Sequence, residues 1–317
     1  MRYSFFLYLF STFLILSFSL SIYNLYKDPY WFWTDKPNWK HSLSLDTKQR
    51  FIKPIKAIKY NADFLIIGSS RVYRGIDPDE FLKYGYKKPY NLGISSLKIY
   101  EMYHILKNHF KINHPKKIII GLDYWMFNID SLKEKDFKED TIKQNYIYFY
   151  INNLLESLLS YSAFKDSRKK TKDIESTDGS WKENGFHKTT KRDTETSILM
   201  LDGYTSYLKD FNYKKNSINF IEKIIKLCSK KNIELAIYIS PIHFQTLLSY
   251  FNSKNFNKFN EWKELISLSC SKNNIYFIDF SDDFLTFFNT EPGIDWLDYS
   301  HFSPIIGNKI ISKMIKN

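Results

Sequence analysis

The sequence predicts a three-layer α/β domain on a parallel sheet of about five strands, carried behind an N-terminal transmembrane helix. Three observations lead there. A long charge-free apolar segment opens the chain, short apolar runs then alternate with stretches of helical periodicity, and most of those runs end at Gly or Asp. Strands that alternate with helices need crossover connections, which give a parallel sheet covered on both faces.

From Tyr3 to Tyr26 no residue is charged, and Phe5–Tyr23 reads FFLYLFSTFLILSFSLSIY. At about 1.5 Å per residue such a helix spans a hydrocarbon core of about 30 Å. Tyr30, Trp31, Phe32, Trp33 and Trp39 follow, rings of the kind that sit at a membrane interface. A cleaved signal peptide is the competing reading, with Ser19-Leu-Ser21 as a weak small-x-small site. The run is long and contains no Ala-x-Ala, so a retained anchor is expected. Arg2 before the segment against Lys27, Lys36 and Lys40 after it leaves the orientation undecided by charge alone.

Composition narrows the function classes. The 317 residues carry a net charge of +12, with 25% charged and 44% hydrophobic residues, which excludes wholesale disorder. Half of that excess lies in residues 1–60, beside the apolar segment. A basic stripe there points to anionic lipid headgroups, and no nucleic-acid motif accompanies the charge, so no nucleic-acid partner is expected. Two cysteines, Cys228 and Cys270, are too few for a disulfide scaffold; each sits among apolar neighbours and reads as a buried free thiol. His104, His109 and His114 lack partner carboxylates at ligand spacing, so neither a metal site nor a cofactor is predicted.

The elements follow in order. Residues 1–26 are the anchor and 27–60 a juxtamembrane connector ending in a short basic helix around Lys48–Tyr60. Within the domain at 61–317, Phe64–Ile67 is the first buried strand, ending at Gly68. Pro78–Tyr84 is a short helix, Pro89–Leu92 a brief second strand ending at Gly93, and Leu97–Phe110 a helix by its apolar spacing. Lys117–Asp123 is the third strand. Ser217 is placed as the cap of a helix running to Lys231. Glu234–Ile239, a helix at Phe256–Ser271, Ile275–Phe280 and a last helix at Ser303–Ile315 complete the pattern.

An insertion at 124–215 is too long for an ordinary loop. Ile147, Ile151, Leu154, Leu155, Leu158 and Leu159 form a helical stripe, expected to pack on the core, with a lid or acyl-pocket wall as the other reading. Lys165–Glu195, whose bulky apolar residues are Ile174, Trp181 and Phe186, is expected to be an exposed loop.

In a parallel α/β sheet ligands bind beyond the carboxyl ends of the strands. Gly68-Ser69-Ser70-Arg71 follows the first strand there, Asn91-Leu92-Gly93 the second, Gly121-Leu122-Asp123 the third, and Asp298-Tyr-Ser-His301 precedes the last helix. A serine nucleophile needs a histidine base, and that histidine needs an acceptor to hold its tautomer. Ser70, His301 and Asp298 are therefore the candidate catalytic residues, with Asp295 as a nearby substitute for Asp298. The N–H groups of Ser70 and Gly93 are candidate oxyanion donors. This is not the nucleophile elbow of α/β-hydrolases, because Val72 stands where that motif has Gly. Arg71, Asp123 and His243, which follows the fourth strand, are candidate substrate-binding residues.

These blocks resemble those of the SGNH (GDSL-like) hydrolases and acyltransferases. Gly68-Ser69-Ser70…Gly75 matches their first block with Ser for Asp, Gly93 their second-block glycine, and Asp298/His301 their final Asp-x-x-His. The third block, Gly-x-Asn-Asp, appears as Gly121-Leu122-Asp123-Tyr124. An ionised Asp123 cannot donate to an oxyanion as Asn does. It binds substrate, orients Arg71, or leaves the hole one donor short. The Gly-Ser-Ser variant behind a membrane segment looks most like envelope proteins of the DltD and AlgJ/AlgX types.

That resemblance implies a flavodoxin-like sheet and an exported domain facing the periplasm or exterior. It also implies O-acyl transfer or ester hydrolysis on an envelope polysaccharide, through a covalent acyl-enzyme. The partners implied are an acyl donor, an envelope glycan and a membrane acyltransferase. The alternative is a noncatalytic SGNH-shaped binding subunit of a surface-polymer modification complex, which the altered first and third blocks favour.

Overall fold

A computed structural model describes residues 2–34, 45, 47–128, 145–168, 179–189, 213–251, 256–281 and 294–315. Trp39, Lys36, Lys40 and Ile174 lie outside the described residues.

Five strands build the main sheet: β1 (Phe64–Ile67), β2 (Pro89–Asn91), β3 (Lys117–Leu122) and, after the insertion, β6 (Glu234–Ile239) and β7 (Tyr276–Asp279). β4 (Gly179–Trp181) and β5 (His187–Thr189) form a separate antiparallel hairpin within the insertion. The main sheet runs β2-β1-β3-β6-β7 with every pairing parallel. Counted within that sheet, the order is 2-1-3-4-5, the flavodoxin-like order. The chain steps outward from β1 to β2 and then reverses to β3, so the crevice beyond β1 and β3 is the topological switch point.

Alternate strand residues point to opposite faces, and each face has its own core. Leu65, Ile67, Ile118, Ile120 and Ile237 face α4 (Ile99–His109), α7 (Lys215–Lys230) and α9 (Phe256–Lys272), packing with Met102, Ile221 and Trp262. Phe64, Ile66, Ile119 and Tyr238 face α10 (Pro304–Ile315), packing with Phe302, Ile306 and Ile310. The runs at β1 and β3 are continuously apolar because both faces are covered. Cys228 and Cys270 are buried free thiols, their pKa pushed up to about 12 by burial.

Helix α1 (Arg2–Lys27) is long and apolar enough to cross a membrane, with a mean hydropathy of 2.0 over its most apolar window. The rings after it are not where the sequence places them. Tyr30, Trp31 and Phe32 are buried in a third cluster with Phe51, Ile55 and Phe149, leaving Trp33 as the partly exposed one. Asp28 causes the difference. Its carboxylate accepts the N–H groups of Phe32 (2.6 Å), Trp33 (3.0 Å) and Thr34 (2.8 Å), a turn that folds the aromatics inward. Burial of each such ring is worth about 2–3 kcal/mol.

The basic helix α2 (Gln49–Lys59) packs inward as well. Arg50 donates to both carboxylate oxygens of Glu101, at 2.8 and 3.1 Å, and Glu101 accepts the Lys98 N–H at the start of α4. Lys53 is fully buried, donating to the Gly185 carbonyl at 2.9 Å beneath the Tyr73 and Trp181 rings.

Three further expectations change. α7 begins at Lys215 with Lys214 at the cap position, and Ser217 instead donates back to the Lys214 carbonyl at 2.6 Å. The stripe on α5 (Tyr146–Leu159) packs inward only in part: Leu154 and Leu158 are half-buried on the side of Phe149, Asn153 and Ser157, while Ile147, Ile151, Leu155 and Leu159 face outward. Residues 179–189, expected as exposed loop, form the β4–β5 hairpin with Trp181, Phe186 and His187 buried against Tyr73.

Candidate active site

The serine emerges from the turn that ends β1. Ser69 caps α3 (Ser70–Gly75), its hydroxyl accepting the Arg71 N–H at 3.1 Å. Ser70 is therefore the first helical residue, where the backbone N–H has no intrahelical acceptor and points out of the helix start. It is partly exposed, while Ser69 is buried.

The histidine comes from a tight turn that a carboxylate holds. Trp296 and Phe302 form an antiparallel bridge, and the Leu297 N–H donates to the His301 carbonyl at 2.8 Å. Inside that turn Asp298 Oδ1 accepts the N–H groups of Ser300 and His301, each at 2.8 Å. The same carboxylate lies 3.0 and 2.8 Å from His301 Nδ1. With the Nδ1 proton directed at Asp298, Nε2 is left as acceptor for the Ser70 hydroxyl, 2.8 Å away. Residues 231 apart in sequence thus meet as a hydrogen-bonded Asp298–His301–Ser70 chain. Asp298 and His301 are buried, which shields the pair from competing water. The carboxylate at His301 Nδ1 is that of Asp298 and not of Asp295, whose backbone carbonyl accepts the Ser303 N–H just before α10.

The other expected residues stand elsewhere. The Gly93 N–H donates to Asn91 Oδ1 at 2.9 Å, so it is not free for an oxyanion. Asn91 is itself held by donating to the Val72 and Ile76 carbonyls, at 2.9 and 2.7 Å. Gly93 has room for nothing larger, because a Cβ there would come within 2.8 Å of the Tyr73 nitrogen and 2.9 Å of the Ser69 carbonyl.

Arg71, Asp123 and His243 are 1%, 1% and 0% exposed and are engaged within the protein, not on an open surface. Arg71 donates to Asp123 Oδ1 at 3.1 Å, approaches the Pro241 carbonyl and Ser300 Oγ, each at 3.4 Å, and stacks over Trp125. Asp123 Oδ2 accepts the Ser69 hydroxyl. These contacts tie the ends of β1, β3 and β6 to the histidine turn. His243, directly before α8 (Phe244–Phe251), sits edge-on between Trp296 and Tyr299, its Nδ1 accepting the Gln245 N–H at 3.2 Å.

The hairpin adds a wall that the sequence reading missed. Arg74 donates to Thr189 on β5 at 3.1 Å. An open cavity of about 250 Å³ lies beside it, lined by Arg74, Asp77, Lys182, Phe186, Lys188 and Leu297 among others. The signal for this hairpin was Asn184-Gly185 between Trp181 and Phe186; Gly185 has φ +79°, a backbone such turns demand.

No family model matches the chain, and no curated protein matches it either. Among solved structures, the crystal structure of the acetyl xylan esterase AlAXEase is similar, with a TM-score of 0.42 and 13% identity over 79% of this chain and 97% of that one. At that distance the likeness carries no argument about activity.

Proposed function

We propose that this protein is a membrane-anchored, SGNH-type serine acyl-transfer enzyme, an O-acyltransferase or O-acyl esterase. Its domain at 61–317 faces an envelope polysaccharide on the far side of the membrane from the cytoplasm. The observation that carries the reading is the Ser70–His301–Asp298 hydrogen-bond chain at the topological switch point.

In this reading Ser70 Oγ attacks the acyl carbonyl while His301 Nε2 takes its proton, and Asp298 stabilises the imidazolium. The carbonyl oxygen becomes an oxyanion facing the Ser70 N–H. The alkoxide leaving group departs with the proton from His301, leaving an acyl-enzyme. A sugar hydroxyl or water then gives its proton to His301 and attacks, which returns the serine. Arg71 and Asp123 act as positioning residues for the Ser69–Ser70 turn, and the cavity beside Arg74 receives the acceptor. A membrane acyltransferase as donor partner follows from the family resemblance.

A specific observation supports a second reading, a noncatalytic binding subunit. With the Gly93 N–H bonded to Asn91 and Asp123 an acceptor, the oxyanion hole is one donor short of the expected pair. Loss of one donor in such holes costs about 10²–10³ in rate.

Labelling of the full chain in detergent with a fluorophosphonate, read by intact mass, separates the two. A single adduct that Ser70→Ala abolishes is the expected result. A folded wild-type protein that takes up no adduct favours the binding subunit.

A further inference from the structure

We propose that the α5–α6 hairpin is a second membrane-embedded element, its tip seated in the acyl region of the leaflet beside α1. The inference rests on α1 crossing the bilayer. α5 is apolar on its outer side as well as its inner one, which is unusual for a helix in water. Its buried side carries Phe149, Asn153 and Ser157 with Leu154 packed beside them, while Ile147, Ile151, Leu155 and Leu159, four residues apart, are 59%, 44%, 47% and 45% exposed. A helix against water keeps its outer face polar; this one carries an apolar row there, as lipid-facing helices do.

The location of that stripe names the occupant. α5 packs against α1, as does α6 (Tyr161–Ser167). Asn24 of α1 donates to the Leu158 carbonyl at 2.8 Å, at the end of α5, and Tyr23 meets Phe164 of α6 with ring centroids 5.3 Å apart. Along α1 the face that loses exposure runs Ser17, Leu20, Ser21 and Asn24, where small side chains let a neighbouring helix approach closely. Ser17 lies nine residues before Tyr26, about 14 Å along the helix and so about half the depth of a hydrocarbon core. The helix that carries the outward row thus lies against the apolar α1.

Charge agrees. Residues 146–164 contain a single Asp, Glu, Lys or Arg, Glu156, which is paired with Lys48 at 3.0 Å; Lys165 and Asp166 come in the last turn of α6, where Asp166 accepts the Tyr30 hydroxyl at 2.9 Å. At 14 residues α5 is about 21 Å long, too short to span, so it enters and returns through α6. Two points of membrane contact would stop the domain from swivelling about α1 and hold the Ser70 rim at a set height above the lipid.

The test is nitroxide labelling of the full chain in phosphatidylcholine–phosphatidylglycerol vesicles, with Cys228 and Cys270 left in place because they are buried. Leu155→Cys and Leu159→Cys report on the hairpin, Phe10→Cys on α1, and Leu268→Cys on an exposed position of α9. Expected are high oxygen and low nickel-chelate accessibility at 155 and 159, as at 10, with a nickel-to-oxygen ratio several-fold below that at 268. If 159 matches 268 while 10 is deep, the hairpin lies in water and the inference fails alone. If 10 is also nickel-accessible, the anchor reading fails with it. Exclusion of both reagents with spin–spin broadening would mean a second copy covers the stripe, which also overturns the inference.

Discussion

Asp123 shows how one residue changes what its neighbours can do. The family resemblance leaves three roles open for it, and its burial against Arg71 and Ser69 favours the one in which it orients Arg71. A guanidinium this deep depends on its carboxylate, because an unpaired buried charge costs several kcal/mol. Asp123→Ala is expected to destabilise the protein by about 3–5 kcal/mol in urea unfolding, with fluorophosphonate labelling lost in proportion. The double variant Arg71→Met/Asp123→Leu should regain most of that stability. A double variant as unstable as the single one would show that the ion pair is not what Asp123 contributes.

At the scale of elements, the separation of Ser70 and His301 depends on how closely α3 and α10 approach. A Cβ at Gly307 would overlap the Gly75 carbonyl oxygen, and one at Gly75 would enter the Phe302 ring. Both helices therefore meet backbone to backbone, which leaves the histidine turn within 2.8 Å of the serine. Gly307→Ala should push them apart by about an ångström, a displacement that can cost about 10²-fold in rate. The rate of fluorophosphonate labelling measures it, with circular dichroism showing the fold retained. An unchanged labelling rate would mean that the turn around Asp298 positions His301 without help from α10.

Across the whole molecule, pH acts on stability through His109. It ends α4 under Phe149 and Pro54, is 1% exposed, and burial holds its pKa down at about 3. The folded protein keeps this imidazole neutral where the unfolded chain, near 6.5, takes up a proton. Its contribution is therefore fully present above about pH 6.5 and declines as the pH falls toward 3. At pH 5 the loss is about 2 kcal/mol relative to pH 8. His109→Leu should remove most of that slope, as chemical denaturation at the two pH values would reveal. A wild-type slope that survives the substitution would assign the effect to other groups.

The order of strands and helices was legible in the sequence, because a strand buried on both faces must be a continuous apolar run and its crossover helix must carry a 3.6-residue stripe. The candidate triad was legible too, because the turns beyond the strand ends are short and Ser70, Asp298 and His301 lie in them. Partner choice was not. Whether Gly93 offers its N–H or Asn91 occupies it, and whether Asp123 meets substrate or Arg71, depends on distances between residues far apart in the chain. Composition also misled where the interior is made by something other than apolar periodicity. Asp28 turns three aromatics inward, Lys53 pins the Asn184-Gly185 hairpin, and α5 hides its polar seam against its neighbours. A sequence records which side chains avoid water, but only the tertiary structure decides what each of them meets in its place, since that is a matter of geometry between segments and not of the segment itself.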